Sequence, residues 1–194
     1  MGNQVETAAV AYGRAVAAMI SASFGCGWLG WGFAAIPSLP GWIWLGYSSV
    51  ATALVAIALA ALRRGGRIVK AQPGAWSSFW QQRRRAYRLL TVVEALGCGI
   101  VVLMAHLLRR PDWIAVGLSL VVGLHFLPLG RILGAASYYW VGSLIVVCDI
   151  LTVTALKWWN PTATAGVGTG VVLWAGSVYA LVQSFRVTAP NKSS

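Results

Sequence analysis

Six stretches of apolar residues dominate this 194-residue chain, at about 8–36, 42–62, 89–108, 113–129, 135–156 and 164–183. Each is close to the ~20 residues a helix needs to cross the hydrocarbon core of a bilayer. Charged residues make up 10% of the chain, with 4 Asp+Glu in all, against about 25% charged in a soluble domain. A chain so poor in charge cannot cover its surface in water. The expected fold is therefore all-α: a polytopic transmembrane bundle of six spans, forming a single integral membrane domain over 1–194.

The connections set the order of the spans. Short links at 37–41, 109–112 and 157–161 follow spans one, three and five. Short links make neighbouring spans antiparallel, so three consecutive hairpins are expected. The single long connection, 63–88, is expected to be a basic loop. The first span carries Arg14 and lacks a small-residue cleavage site, so it should be retained rather than removed as a signal peptide.

Orientation follows from the basic residues, which concentrate on the cytoplasmic side of membrane proteins. Arg14, the eight basic residues of 63–88, Arg131, Arg186 and Lys192 fall on one side, and Arg109, Arg110 and Lys157 on the other. Both termini are expected in the cytoplasm. The aromatic residues agree. Trp28, Trp31, Trp42, Trp44, Trp113, Trp158 and Trp159 fall at outer ends of spans, and Tyr12, Tyr87, Tyr138, Tyr139 and Trp140 at inner ends, where amphipathic rings favour headgroup depth.

Within 63–88, Trp76, Phe79 and Trp80 have the spacing of one helical face, followed by Arg83, Arg84, Arg85 and Arg88. A basic amphipathic stretch beside a span binds the anionic inner leaflet, at about 1 kcal/mol per basic residue. Trp76, Trp80, Arg83, Arg84 and Arg85 are the expected lipid-surface contacts. No nucleic-acid recognition module surrounds them, so nucleic acid is not an expected partner.

Glu94, His125 and Asp149 are costly at their positions. Ionisable groups near a helix centre cost about 2.5–3.5 kcal/mol on insertion scales and mark sites that pair, protonate or line a cavity. Glu94 is six residues past Arg88 and His125 six before Arg131, so both lie ~9 Å deep from the same side. The short link between spans three and four makes them neighbours, and a Glu94–His125 contact is expected. Pro128 removes a backbone donor beside His125. Glu94 shares a helical face with Gly97, Cys98, Val101 and Ala105. Asp149 lies on span five with Gly142, Val146 and Thr152, too deep to reach Glu94. His106 should sit at the interface. Cys26, Cys98 and Cys148 have no metal-ligand spacing, and neither a metal nor a cofactor is expected. Gly166 and Gly170 have GxxxG spacing, which permits close helix approach.

The stretch Gly123-Leu124-His125-Phe126-Leu127-Pro128-Leu129-Gly130-Arg131, with Tyr138-Tyr139 after it, resembles a motif in a family of small bacterial multispanning membrane proteins of uncharacterised function. The resemblance implies a bacterial plasma (inner) membrane protein and adds Arg131 to the candidate polar site of Glu94, His125 and Asp149. It implies no activity.

Three function classes fit these residues. The first is a binding or transport module for a small molecule, hydrophobic or cationic, with Ala11 and Ala15 docking a partner membrane subunit. The second is a membrane-embedded enzyme acting on a lipid or isoprenoid, with Glu94 or Asp149 as acid in the manner of terpene cyclases. The third is a non-catalytic accessory subunit. Nucleophile triads, phosphate-binding loops, HExxH and EF-hand patterns are absent from the sequence.

Overall fold

The structure, a computed structural model, describes residues 2–70, 75–133, 135–155 and 160–187. Six helices follow one another: α1 (Gly2–Ala34), α2 (Gly41–Lys70), α3 (Ala75–Leu107), α4 (Ile114–Leu133), α5 (Ala136–Thr154) and α6 (Pro161–Val187), with a 3-10 turn at Pro111–Trp113. Each of the six is long and apolar enough to cross a membrane. No strand occurs among the described residues.

The basic connection expected over 63–88 is almost entirely helix. α2 continues to Lys70 and α3 begins at Ala75, so only 71–74, which contains Pro73-Gly74, lies outside both. Hydropathy ends where Arg63 begins, but helix propensity does not, because Arg, Gln, Ala and Leu are all good helix formers. Both helices run on past their apolar stretches and carry the basic residues on helical surfaces.

All three expected hairpins pack, yet the largest interface joins the first helix to the last. On α1 the residues Ala11, Ala15, Ala18, Ala22, Gly25, Leu29 and Gly32 recur at alternating steps of four and three and are all buried. This is the seam of a closely packed helix pair. α6 answers with Gly166, Gly170, Leu173, Ser177 and Ser184. The backbones approach so closely that a Cβ on Gly32 would lie 2.6 Å from the Val167 nitrogen. A Cβ on Gly170 would lie 2.8 Å from the Leu29 nitrogen. Ser177 donates a buried hydrogen bond across the seam to the Ala18 carbonyl at 2.8 Å. Ala11 and Ala15 are thus covered by the chain itself, which removes them as a docking surface for a partner subunit.

α4 and α5 form the second tight pair, again through glycine: a Cβ on Gly142 would lie 2.6 Å from the Gly123 carbonyl oxygen. α6 touches both of these helices and completes the core, while α2 lies against α1 and α3 against α4. Leu54, Ala58 and Ala61 bury one stripe of α2 against α1 and α6. α3 is the most peripheral helix, with 6% of its apolar window buried. α2 and α3 share no substantial interface among the described residues.

The start of α1 and the end of α6 lie on one face of the bundle, where the Arg14 guanidinium donates to the Gln183 carbonyl at 3.4 Å. At the opposite face Asn160 joins two helices. Its side-chain oxygen accepts from the Thr162 and Ala163 amides at 2.9 and 3.3 Å, capping α6, while its side-chain nitrogen donates to the Ala35 carbonyl at 3.1 Å. Pro161 follows at the first helical position, where its missing N–H costs nothing. α3 ends at this face with Arg109 in the left-handed region (φ 54°). The Arg110 amide bonds to Ala105 and the Arg109 amide to His106, a Schellman closure. Trp28, expected in the interfacial belt, is instead buried against Ala115 and Val116. Trp42 and Trp140 are 72% exposed.

Candidate functional site

α3 meets α4 along the face that carries Glu94. Gly97 sits against Val121, and Val101 fills the space left by Gly117. This register places the Glu94 Oε2 3.3 Å from the His125 Nδ1, the contact expected from equal depth. The side chains are 28% and 11% exposed, respectively. The His125 Nδ1 is buried and makes no aligned hydrogen bond, so the pair is an electrostatic contact rather than a directed one. The imidazole packs edge-on against Phe126, ring centroids 6.2 Å apart. α4 continues as helix through Pro128 to Leu133.

Asp149 occupies a different environment. It is 3% exposed, and neither carboxylate oxygen has a hydrogen-bond partner. It lies on the buried stripe of α5 with Gly142, Ile145 and Thr152. Ser119 of α4 is a polar side chain that acts on it, and the Ser119 hydroxyl is engaged by Thr169 of α6 in a hydrogen bond. Ser119 and Thr169 are fully buried. Ser119 and His125 are six residues apart on α4, hence about 120° apart around the helix and ~9 Å along it. The structure therefore brings Glu94 to His125 but leaves Asp149 in a separate polar cluster at the junction of α4, α5 and α6.

The remaining candidates spread out. Arg131 is exposed in the last turn of α4. Arg83 turns inward, its Nε donating to the Ile132 carbonyl at 2.8 Å, and so satisfies a carbonyl at the end of α4 that has no helical partner. Arg84 and Arg85 are exposed. The side chains of Trp76 and Trp80 lie outside the described residues. His106 is exposed and its Nδ1 donates to the Val102 carbonyl at 2.8 Å. Among the described residues no three His, Cys, Asp or Glu side chains converge as metal ligands.

Two concavities are open and apolar. One, of about 330 Å³, is lined by Ser23, Phe24, Gly27, Trp28 and Trp31 on α1. The other, of about 340 Å³, lies between α3 and α4 at Val101, Met104, Ala105, Leu108, Arg110 and Trp113. Val101 and Ala105 share the α3 face of Glu94, and the packed contacts at Gly97–Val121 and Val101–Gly117 lie between this second hollow and the Glu94–His125 pair.

Sequence reasoning missed Ser119, Thr169 and Asn160. Serine and threonine cost little in a membrane helix and carry no periodic signal when single. The Asn160-Pro161 dipeptide was the legible one, since Asn before Pro marks a helix start. No family model, curated protein or solved structure matches this chain.

Proposed function

We propose that this chain is a multi-pass protein of a bacterial plasma membrane, with both termini cytoplasmic, that binds or transports a small hydrophobic cation at Glu94–His125. The observation that carries this reading is the 28% exposure of Glu94 beside His125 at 3.3 Å, on a helix that its neighbours barely cover. A carboxylate at membrane depth attracts a cation far more strongly than in water, because the local dielectric is low. A lipid-dissolved cation reaches such a carboxylate laterally, over the exposed surface of α3, without crossing the helix core. His125 holds the carboxylate when the ligand is absent and yields it when a cation arrives. In this arrangement the exposed Arg84 and Arg85 meet anionic headgroups of the inner leaflet and keep α3 anchored while its other end tilts.

The test is equilibrium binding of tetraphenylphosphonium to the full chain in lipid nanodiscs. Wild type should bind saturably, and Glu94→Gln should weaken binding at least about tenfold, or ~1.4 kcal/mol, with its melting temperature retained. Equal binding by wild type and Glu94→Gln rejects the site.

A further inference from the structure

We infer that Asp149, Ser119 and Thr169 form a second, independent site that holds one monovalent cation, a proton or a sodium ion, inside the helix core. This goes beyond the Glu94–His125 reading and stands whether or not that pair binds a ligand.

The argument starts from charge. Asp149 is 3% exposed, and among the described residues no basic side chain pairs with it. An isolated carboxylate in such a place carries a desolvation cost of several kcal/mol. Hydrogen bonds would occupy its lone pairs but would not remove its charge, so a cation must travel with it. The donors are hard oxygens, the class that suits protons and alkali ions rather than soft metals. A single carboxylate balances a single positive charge, whereas a divalent ion would leave one uncompensated in the core.

Geometry gives the site a means of exchange. Asp149, Ser119 and Thr169 come from α5, α4 and α6, so a small shift of any one helix changes the set of oxygens around the carboxylate. The Ser119–Thr169 hydrogen bond joins two of these oxygens, and a sodium ion would have to part them, whereas a proton would not. Glycine permits such movement next door: Gly168 faces Cys148, where an added Cβ would lie 3.3 Å from the Cys148 Cβ. Cys148 is the titratable residue adjacent to Asp149 on α5. From α4 the Ser119 hydroxyl acts on the carboxylate, and from α6 the Thr169 hydroxyl joins it through its hydrogen bond to Ser119. Thr152, one turn further on, spends its hydroxyl on the Cys148 carbonyl at 2.8 Å and leaves the carboxylate to the other two.

The experiment uses the full chain in nanodiscs and compares wild type with Asp149→Asn, which keeps shape and removes the charge. Melting is followed in sodium or choline chloride over a range of pH. In parallel, dicyclohexylcarbodiimide, which labels membrane-embedded carboxyl groups carrying a proton, is mapped to the Asp149 peptide by mass. A sodium site predicts a rise in wild-type Tm of about 5–10 °C at roughly 100-fold excess over the dissociation constant, with labelling suppressed by sodium and not by choline. A proton site predicts labelling that ignores sodium and falls several-fold as the pH is raised. In either case Asp149→Asn loses the response and Glu94→Gln keeps it. The inference is overturned if wild type and Asp149→Asn respond alike to both sodium and pH. Should Asp149→Asn not fold, Ser119→Ala takes its place, and an unaltered cation response in that variant overturns the inference equally.

Discussion

Gly32 and Gly166 face each other so closely that a Cβ on Gly166 would lie 2.6 Å from the Gly32 Cα. Backbone meets backbone here, and the opposing atoms cannot rotate away as a side chain can. Gly32→Ala should therefore cost about 1–3 kcal/mol by overpacking, read as a lower melting temperature in nanodiscs. Gly27→Ala is the control, because a Cβ at Gly27 meets nothing within 4 Å. Equal melting of the two variants would contradict the α1–α6 seam.

Asn160 offers a separable test of the opposite face. Asn160→Ala loses both the α6 cap and the bond to Ala35, and should destabilise by about 1–2 kcal/mol. Asn160→Asp keeps the capping oxygen but has no amide to donate to α1, so its loss should be smaller. The order of melting temperatures, wild type above Asp above Ala, is the expected result.

The Glu94–His125 pair can be tested against a purely mechanical role. Polar contacts between membrane helices average about 0.6 kcal/mol, and this one is not an aligned hydrogen bond. Glu94→Gln and His125→Gln should each leave the fold intact, with losses of that order in denaturation assays. Collapse of the fold in both variants would make the pair a helix lock rather than a ligand site.

Topology is measurable with reporter fusions. Fusions after Ser194 and within 71–77 should report a cytoplasmic location, and a fusion at Pro161 a periplasmic one. A cytoplasmic signal from Pro161 or a periplasmic signal from Ser194 would reject the orientation.

The arginines of α3 should divide by role. Arg83 satisfies a carbonyl at the end of α4, so Arg83→Gln should lower stability by about 1.5–3 kcal/mol, the range for a hydrogen bond to a charged group. Arg84→Gln with Arg85→Gln should leave melting unchanged while weakening association with anionic lipid, and more so at low salt, where screening is weak.

The Glu94–His125 contact was legible because depth in a membrane helix can be counted, and a short link makes two spans neighbours. The close approach at Gly166 and Gly170 was legible from their spacing. Neighbours of Asp149 were not, because Ser119 and Thr169 sit 30 and 20 residues away on other helices and nothing local marks them as partners. Helix ends were misread over 63–88 for a different reason. Hydropathy reports where lipid stops, whereas the backbone hydrogen-bond ladder of α2 continues to Lys70. Ala11 and Ala15 were recognised as a docking face, but their partner proved to be α6, more than 150 residues away in the chain.

That pairing of first helix with last has a consequence for biosynthesis. A ribosome delivers α1 to the membrane long before α6 exists, and chains are made at only about 5–20 residues per second. Throughout that interval the alanine and glycine seam of α1 has lipid for company, and the longest-range interface of the bundle stays open. A nascent chain interrupted before Pro161 keeps its early hairpins but never acquires the strand of small residues that closes them. Closure of the longest-range interface thus waits on synthesis of the final helix, and a chain that ends before Pro161 leaves the small-residue seam of α1 without its α6 partner.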